Sequence, residues 1–237
     1  MTEELFRADG YLRECEACVT AVQGDHICLD RTVFFPEGGG QLGDTGVILR
    51  TGGVSVRIID TLSTEENSLV HVVEDGADLP QVGENVTARI DWERRYRLMR
   101  MHSALHMLCS VVPAPVTGGS IRDGQGRLDF DLPEPVDKVE LTGLLNQVIA
   151  RDRPMSMQWI TDQQLAEQPE LVRTMSVKPP TGTGTVRLVH FEGVDLQPCG
   201  GTHVSSTGEI GSIRVRKIEK KGRQNRRVIL VFDDSAS

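Results

Sequence analysis

The sequence predicts an α+β protein in two parts, a small N-terminal β-barrel at residues 1–91 and, at residues 92–237, an α+β domain with helices packed on an antiparallel sheet. Two changes of pattern carry this reading. Up to Asp91 the apolar residues come in short alternating runs punctuated by glycine, the signature of half-buried strands joined by tight turns. At Asp91 the apolar period becomes helical, and after Pro113 helix-like and strand-like segments follow one another to the C-terminus.

The strands of the first part are expected at Val19–Val22, Ile27–Leu29, Val47–Leu49, Val54–Ile59, Leu69–Val73 and Val86–Ile90, with turns at Gln23-Gly24-Asp25 and Thr51-Gly52-Gly53. Asp91 is placed to cap a helix in which Leu98, Met101, Leu105 and Leu108 share one face, and Pro113 ends it. A hairpin follows, Ser120–Arg122 and Arg127–Asp131 around Asp123-Gly-Gln-Gly126, then a helix over Val136–Ala150 and a strand over Met155–Ile160. Thr161 and Gln164 have the spacing of a capping box and open a short helix. Strands at Thr185–Phe191, Gly211–Ile218 and Arg226–Phe232 close the chain.

At 237 residues with 38% hydrophobic content, the chain can bury a core without disulfides. Its 5 cysteines are an odd, scattered set, which fits reduced thiols and a cytoplasmic setting. The N-terminus lacks a basic start followed by an apolar run, and no apolar stretch approaches the roughly 18 residues of a membrane span, so no membrane partner is expected. A net charge of -8 argues against indiscriminate nucleic-acid binding. The charge is uneven, however. Arg214, Arg216, Lys217, Lys220, Lys221, Arg223, Arg226 and Arg227 face only Glu219, and Arg94, Arg95, Arg97 and Arg100 run into His102.

Two pairs of ligand-type residues, His102 with His106 and Cys199 with His203, each have i, i+4 spacing. On the helix, that spacing aims two imidazoles at one point beside the apolar stripe. In Cys199-Gly-Gly-Thr-His203 the glycines let the chain fold tightly enough for thiolate and imidazole to converge. Three imidazoles and one thiolate suit a single tetrahedral Zn2+ per chain. Ser103 stands where a zinc protease needs its glutamate, and Cys199 lacks the second cysteine of a nucleobase deaminase. Cys15-x-x-Cys18 has no second pair near it and is a weak signal.

The segment Pro36-Glu-Gly-Gly-Gly-Gln-Leu-Gly-Asp44 is the other conspicuous feature. Gly38, Gly39 and Gly40 permit close approach of a ligand or another backbone, and they equally suit a plain turn at the barrel rim. No Walker lysine follows, and the context is not that of a dinucleotide fingerprint.

In this order, the glycine-rich segment, His102-x-x-x-His106, Cys199-Gly-Gly-Thr-His203 and the basic strands around Lys220-Lys-Gly222 resemble the editing domain of alanyl-tRNA synthetase and its free-standing relatives, the AlaX family. The resemblance covers nearly the whole chain. It implies hydrolysis of the ester in mischarged tRNA(Ala), chiefly seryl-tRNA(Ala) and also glycyl-tRNA(Ala), by a zinc-dependent deacylase of the type with an N-terminal barrel. It further implies that Thr32 recognises serine, and it points to Gln41 as a neutral donor to the ester or the water. Gly38, Gly39 and Gly40 then serve substrate binding, while Arg223, Arg226 and Arg227 contact tRNA phosphates. Phe35 and Ser103 depart from the family, which more often has tyrosine and threonine there. A zinc-stabilised tRNA-binding module without catalysis and a metallohydrolase of another ester are the competing readings. The basic strands speak against the second of these, the glycine-rich segment against the first.

Overall fold

Six antiparallel strands close into a barrel in the N-terminal part of the computed structural model, which describes residues 2–64, 68–174 and 184–233. The chain divides into two units, Met1–Arg97 and Leu98–Ser237. In the first lie β1 (Glu3–Glu4), β2 (Glu14–Gln23), β3 (His26–Leu29), β4 (Arg31–Thr32), β5 (Gly46–Arg50), β6 (Ser55–Ser63), β7 (Leu69–Val73) and β8 (Asn85–Ile90). The barrel order is β2-β3-β7-β6-β5-β8. Each apolar run read from the sequence falls on one stave, because alternation puts every second residue inside: Val86, Ala88 and Ile90 of β8 join Val19, Ile27, Leu29, Ile48, Val56 and Ile58 in one core. Register shifts in β2 and β6 help to bend the staves into closure. No apolar run marks the short parallel pair β1 and β4, which sets Glu4 opposite Thr32.

Helix α1 (Trp92–Val111) begins in the first unit and continues into the second. Asp91 Oδ1 accepts from Arg94 N at 3.2 Å, the expected cap. Leu98, Met101, Leu105 and Leu108 are buried as predicted, but so are Met99, Ala104 and Met107. This stretch is therefore enclosed on all sides rather than one-faced.

The second unit also contains β9 (Val116–Arg122), β10 (Gln125–Asp131), α2 (Lys138–Ile149), β11 (Met155–Thr161), α3 (Asp162–Ala166), β12 (Thr185–Phe191), β13 (Asp195–Pro198), β14 (Ile213–Lys220) and β15 (Asn225–Phe232). One antiparallel sheet runs β14-β15-β10-β9 and a second β11-β12-β13. The β9–β10 turn is shorter than expected. Asp123-Gly124 suffices, and Gln125 and Gly126 are already strand, with Gly126 packed so closely that a Cβ there would strike Met101. Helix α2 covers the edge of β14, where Asn146 Nδ2 donates to Ile213 O at 2.7 Å and Asn146 Oδ1 accepts from Ile213 N at 3.1 Å. The capping box at Thr161 and Gln164 is present. No helix among the described residues is long and apolar enough to cross a membrane.

Candidate functional site

Four donor atoms from His102, His106, Cys199 and His203 lie within 4.8 Å of one another in the second unit. Helix α1 supplies the first two, one turn apart in its enclosed stretch. The other two come from the loop after β13. Arg187, on β12, shapes that loop by donating from Nε to Cys199 O at 2.9 Å and from a terminal nitrogen to Gly201 O. Cys199 Sγ stands 3.4 Å from His102 Nε2 and 3.2 Å from His203 Nε2. Donors about 2.0–2.3 Å from a common tetrahedral ion stand about 3.3–3.6 Å apart, so the two Cys199 distances are close to those around a zinc-sized ion.

The charge states of Cys199 and His203 suit a cation as well. Burial raises the Cys199 thiol, but His102 and His203 outweigh it and hold the group well below the ordinary thiol range. Burial, then repulsion from His102, keeps His203 well below the usual histidine value. Thiolate and neutral imidazole are the forms that bind metal. Cys109 lies on the same helix but is driven up to about 12, chiefly by burial, and stays a thiol.

Outside the four donors lies a layer that the sequence reading missed. His106 Nδ1 donates to Asp195 Oδ2 at 2.8 Å, and Gln197 Nε2 donates to the same oxygen at 2.9 Å. Ser103 Oγ is 3.2 Å from His203 Nδ1 and accepts from Val204 N at 3.2 Å. These bonds engage Nδ1 and leave Nε2 of His106 and His203 for the centre, the tautomer that second-layer carboxylates and hydroxyls enforce in metal sites. Asp195 and Gln197 are two apart on β13 and so share a sheet face, a period-two signal in Asp-Leu-Gln that the short strand hides. Asp195→Asn is expected to weaken metal binding about 10–100-fold, read by competition with a chelating dye. Unchanged affinity would mean that His106 needs no fixed tautomer.

Thr32 and Gln41 lie in the first unit, and both are fully buried. Gly38 N donates to Gln41 O at 3.0 Å and Gln41 N to Gly38 O at 2.9 Å. Between them Gly39 and Gly40 have φ of 59° and 84°, which makes a two-residue turn that glycine permits without strain. The glycines thus form a tight turn, with Gly38, Gly39 and Gly40 exposed. Gly43 has a packing role: a Cβ there would collide with the Thr61 carbonyl oxygen. Phe35 packs edge-on against Phe6 with ring centroids 5.4 Å apart, in a small cluster with Leu69, an apolar setting that asks for no hydroxyl.

Of the arginines assigned to tRNA, only Arg223 is exposed. Arg226 is buried and donates to Pro133 O, and Arg227 donates two hydrogen bonds to Asp129, Nε to Oδ1 at 2.7 Å and Nη2 to Oδ2 at 2.8 Å. Both guanidiniums are committed to the sheet. The run at α1 is likewise structural: Arg95 is fully buried, and Arg100 Nε donates to Ile210 O at 2.9 Å.

Residues 186–229, which span β12 to β15 and include Cys199 and His203, match the family described as the threonyl and alanyl tRNA synthetase second additional domain. Over 250 residues the chain is 36% identical to the alanyl-tRNA editing protein AlaX-M of Methanosarcina mazei, covering 100% of this chain and 99% of that protein. The chain belongs to the AlaX family. A second AlaX-M, from Saccharolobus solfataricus, is 34% identical over 232 residues, 96% of this chain and 98% of that one. The AlaX likeness extends to the alanine–tRNA ligase of Pyrobaculum calidifontis, 36% identical over 233 residues, which are 92% of this chain but 25% of the ligase. Residues 8–94 match the family described as tRNA synthetases class II (A), and in this AlaX-family chain they hold the six-stranded barrel.

Proposed function

We propose that this chain is a trans-editing deacylase that hydrolyses the ester of mischarged tRNA(Ala), chiefly seryl-tRNA(Ala) and also glycyl-tRNA(Ala), with one Zn2+ held by His102, His106, Cys199 and His203. The observation that carries the reading is the cluster of three buried imidazoles and one half-buried thiolate, in a chain that matches AlaX-M proteins over its full length. An aminoacyl ester is already activated, so the site has to position it, polarise its carbonyl and deliver water. Bound zinc supplies Lewis acidity to an oxygen or anchors the substrate. His102 and His106 hold their side of the cluster on a rigid helix. Asp195 and Ser103 keep the imidazole tautomers fixed. Gln41 offers a neutral amide at the base of the glycine turn, and Thr32 offers its hydroxyl to the substrate side chain.

A deacylation assay on seryl-, glycyl- and alanyl-tRNA(Ala) tests this directly. Release of serine and glycine well above that of alanine is expected. Tight binding without release of any amino acid would instead indicate a tRNA-binding module, and release from small esters but not from tRNA a different hydrolase.

For the phosphate contacts, the exposed Arg223 and Lys220 replace the committed Arg226 and Arg227 as candidates. Arg223→Ala combined with Lys220→Ala is expected to lower the slope of log affinity against log salt by about one to two while zinc content stays the same. A slope equal to that of the wild type would mark this turn as solvated surface that touches no phosphate.

A further inference from the structure

His71 is a buried titratable group with no part in the chemistry described so far. It sits on β7, opposite Ile27 of β3 and Thr61 of β6, and is fully enclosed. Its Nδ1 is 3.0 Å from Ile27 O and its Nε2 is 2.9 Å from Thr32 Oγ1. Thr32 is also fully enclosed, and its Oγ1 accepts from Phe34 N at 3.1 Å. The Phe34 ring and the imidazole stand perpendicular with centroids 5.0 Å apart, a contact that helps to fix the imidazole plane.

These contacts settle where the protons lie. A carbonyl oxygen can only accept, so His71 Nδ1 must carry a hydrogen for Ile27. Burial holds His71 near a pKa of about 4, so at neutral pH the ring is uncharged and has one N–H, which Ile27 already uses. Nε2 is then a bare acceptor. The Thr32 hydroxyl must donate to it, and the Phe34 amide fills one of the two lone pairs on Oγ1. What Thr32 retains is a single lone pair.

We propose that His71 is a positioning residue for substrate choice: by taking the Thr32 proton it makes Thr32 an acceptor only, able to receive a hydrogen bond from a serine hydroxyl and nothing from an alanine methyl. The inference rests on the reading that Thr32 meets the substrate side chain. Without the imidazole, the Thr32 hydroxyl can turn to another partner, and its lone pair is no longer held in place for the serine proton. A methyl can supply no such proton, so serine is told from alanine by a contact that shape alone cannot make.

The direct test is nitrogen NMR of the ring nitrogens in the folded wild-type protein. His71 should show a protonated Nδ1 and an unprotonated Nε2 at neutral pH, and the opposite tautomer would overturn the proposal. Kinetics give the second test, read as ratios so that a general loss of activity cancels. In His71→Phe, kcat/KM for seryl-tRNA(Ala) relative to glycyl-tRNA(Ala), which has no side chain to read, should fall about tenfold. The alanyl-to-glycyl ratio should hold. Adding Thr32→Val to His71→Phe should cost little further selectivity, because the two act as one unit. If Thr32→Val narrows the serine preference and His71→Phe does not, His71 is not part of the selection although Thr32 is. If neither variant alters it, the reading of Thr32 itself fails. Should His71→Phe not fold, His71→Gln takes its place: its amide oxygen can still accept from Thr32, and retained selectivity is the expected result. Selectivity lost in a folded His71→Gln with that hydrogen bond intact would overturn the proposal.

Discussion

Cys199→Ala is expected to strip the protein of its metal and with it nearly all deacylase activity. Wild-type protein purified without added metal should carry one zinc per chain, whereas the variant should emerge empty after dialysis against a mild chelator. The thiolate is the only anionic donor among the four and lies against two imidazoles, 3.4 Å from His102 Nε2 and 3.2 Å from His203 Nε2. Without it only three neutral donors would remain to hold a divalent cation. A loss of metal affinity of about a hundredfold or more follows from the ligand chemistry, and a fall in activity of about a thousandfold from losing a preorganised electrophile. Elemental analysis and seryl-tRNA(Ala) deacylation measure the two effects separately. A variant that keeps full activity without zinc would show that the cluster is a structural buttress or no metal site at all.

Those four donors were legible in the sequence because their geometry is local. An i, i+4 pair on a helix converges wherever the helix goes, and a Gly-Gly loop closes on itself. The barrel staves were legible for a similar reason, since a period of two survives in the composition of each run. What was hidden depends on register between distant segments. Asp195 reaches His106 only because β13 pairs with β12, and Arg187 shapes the Cys199 loop only through the same pairing. Arg226 reads as one of a run of charges with Arg223 and Arg227, yet on β15 it shares the inward-facing set with Val228, Leu230 and Phe232, which the alternation of that strand already marks. Arg95 left no such trace, because a helix of successive arginines shows charge but not which one is enclosed. Thr32 was singled out through resemblance alone, and its partner His71 lies on a strand that looks ordinary from its sequence.

Arg95→Ala is expected to destabilise the protein by about 3–5 kcal/mol, the characteristic cost of orphaning a buried ion. Arg95 and Asp44 have 0% and 1% side-chain exposure, so each neutralises a charge that water cannot reach. Arg95 Nε lies 2.9 Å from Asp44 Oδ2, Nη1 donates to Gly10 O at 3.0 Å and Nη2 to Val33 O at 2.6 Å. Asp44 in turn accepts from Phe35 N at 2.6 Å. The pair therefore ties both ends of the glycine-rich loop to the start of α1, and Val33 is the residue after Thr32. Truncating either partner strands the other, so Asp44→Ala should cost a similar amount. Replacing both by well-packed apolar residues, as in Arg95→Met with Asp44→Leu, should cost much less than the sum of the two single changes, because no isolated charge remains. Urea unfolding of the four proteins measures the coupling. If the double variant lost as much as the two singles together, the ion pair would contribute nothing of its own, and the fixed shape of the loop would come from the glycine packing against Thr61 instead.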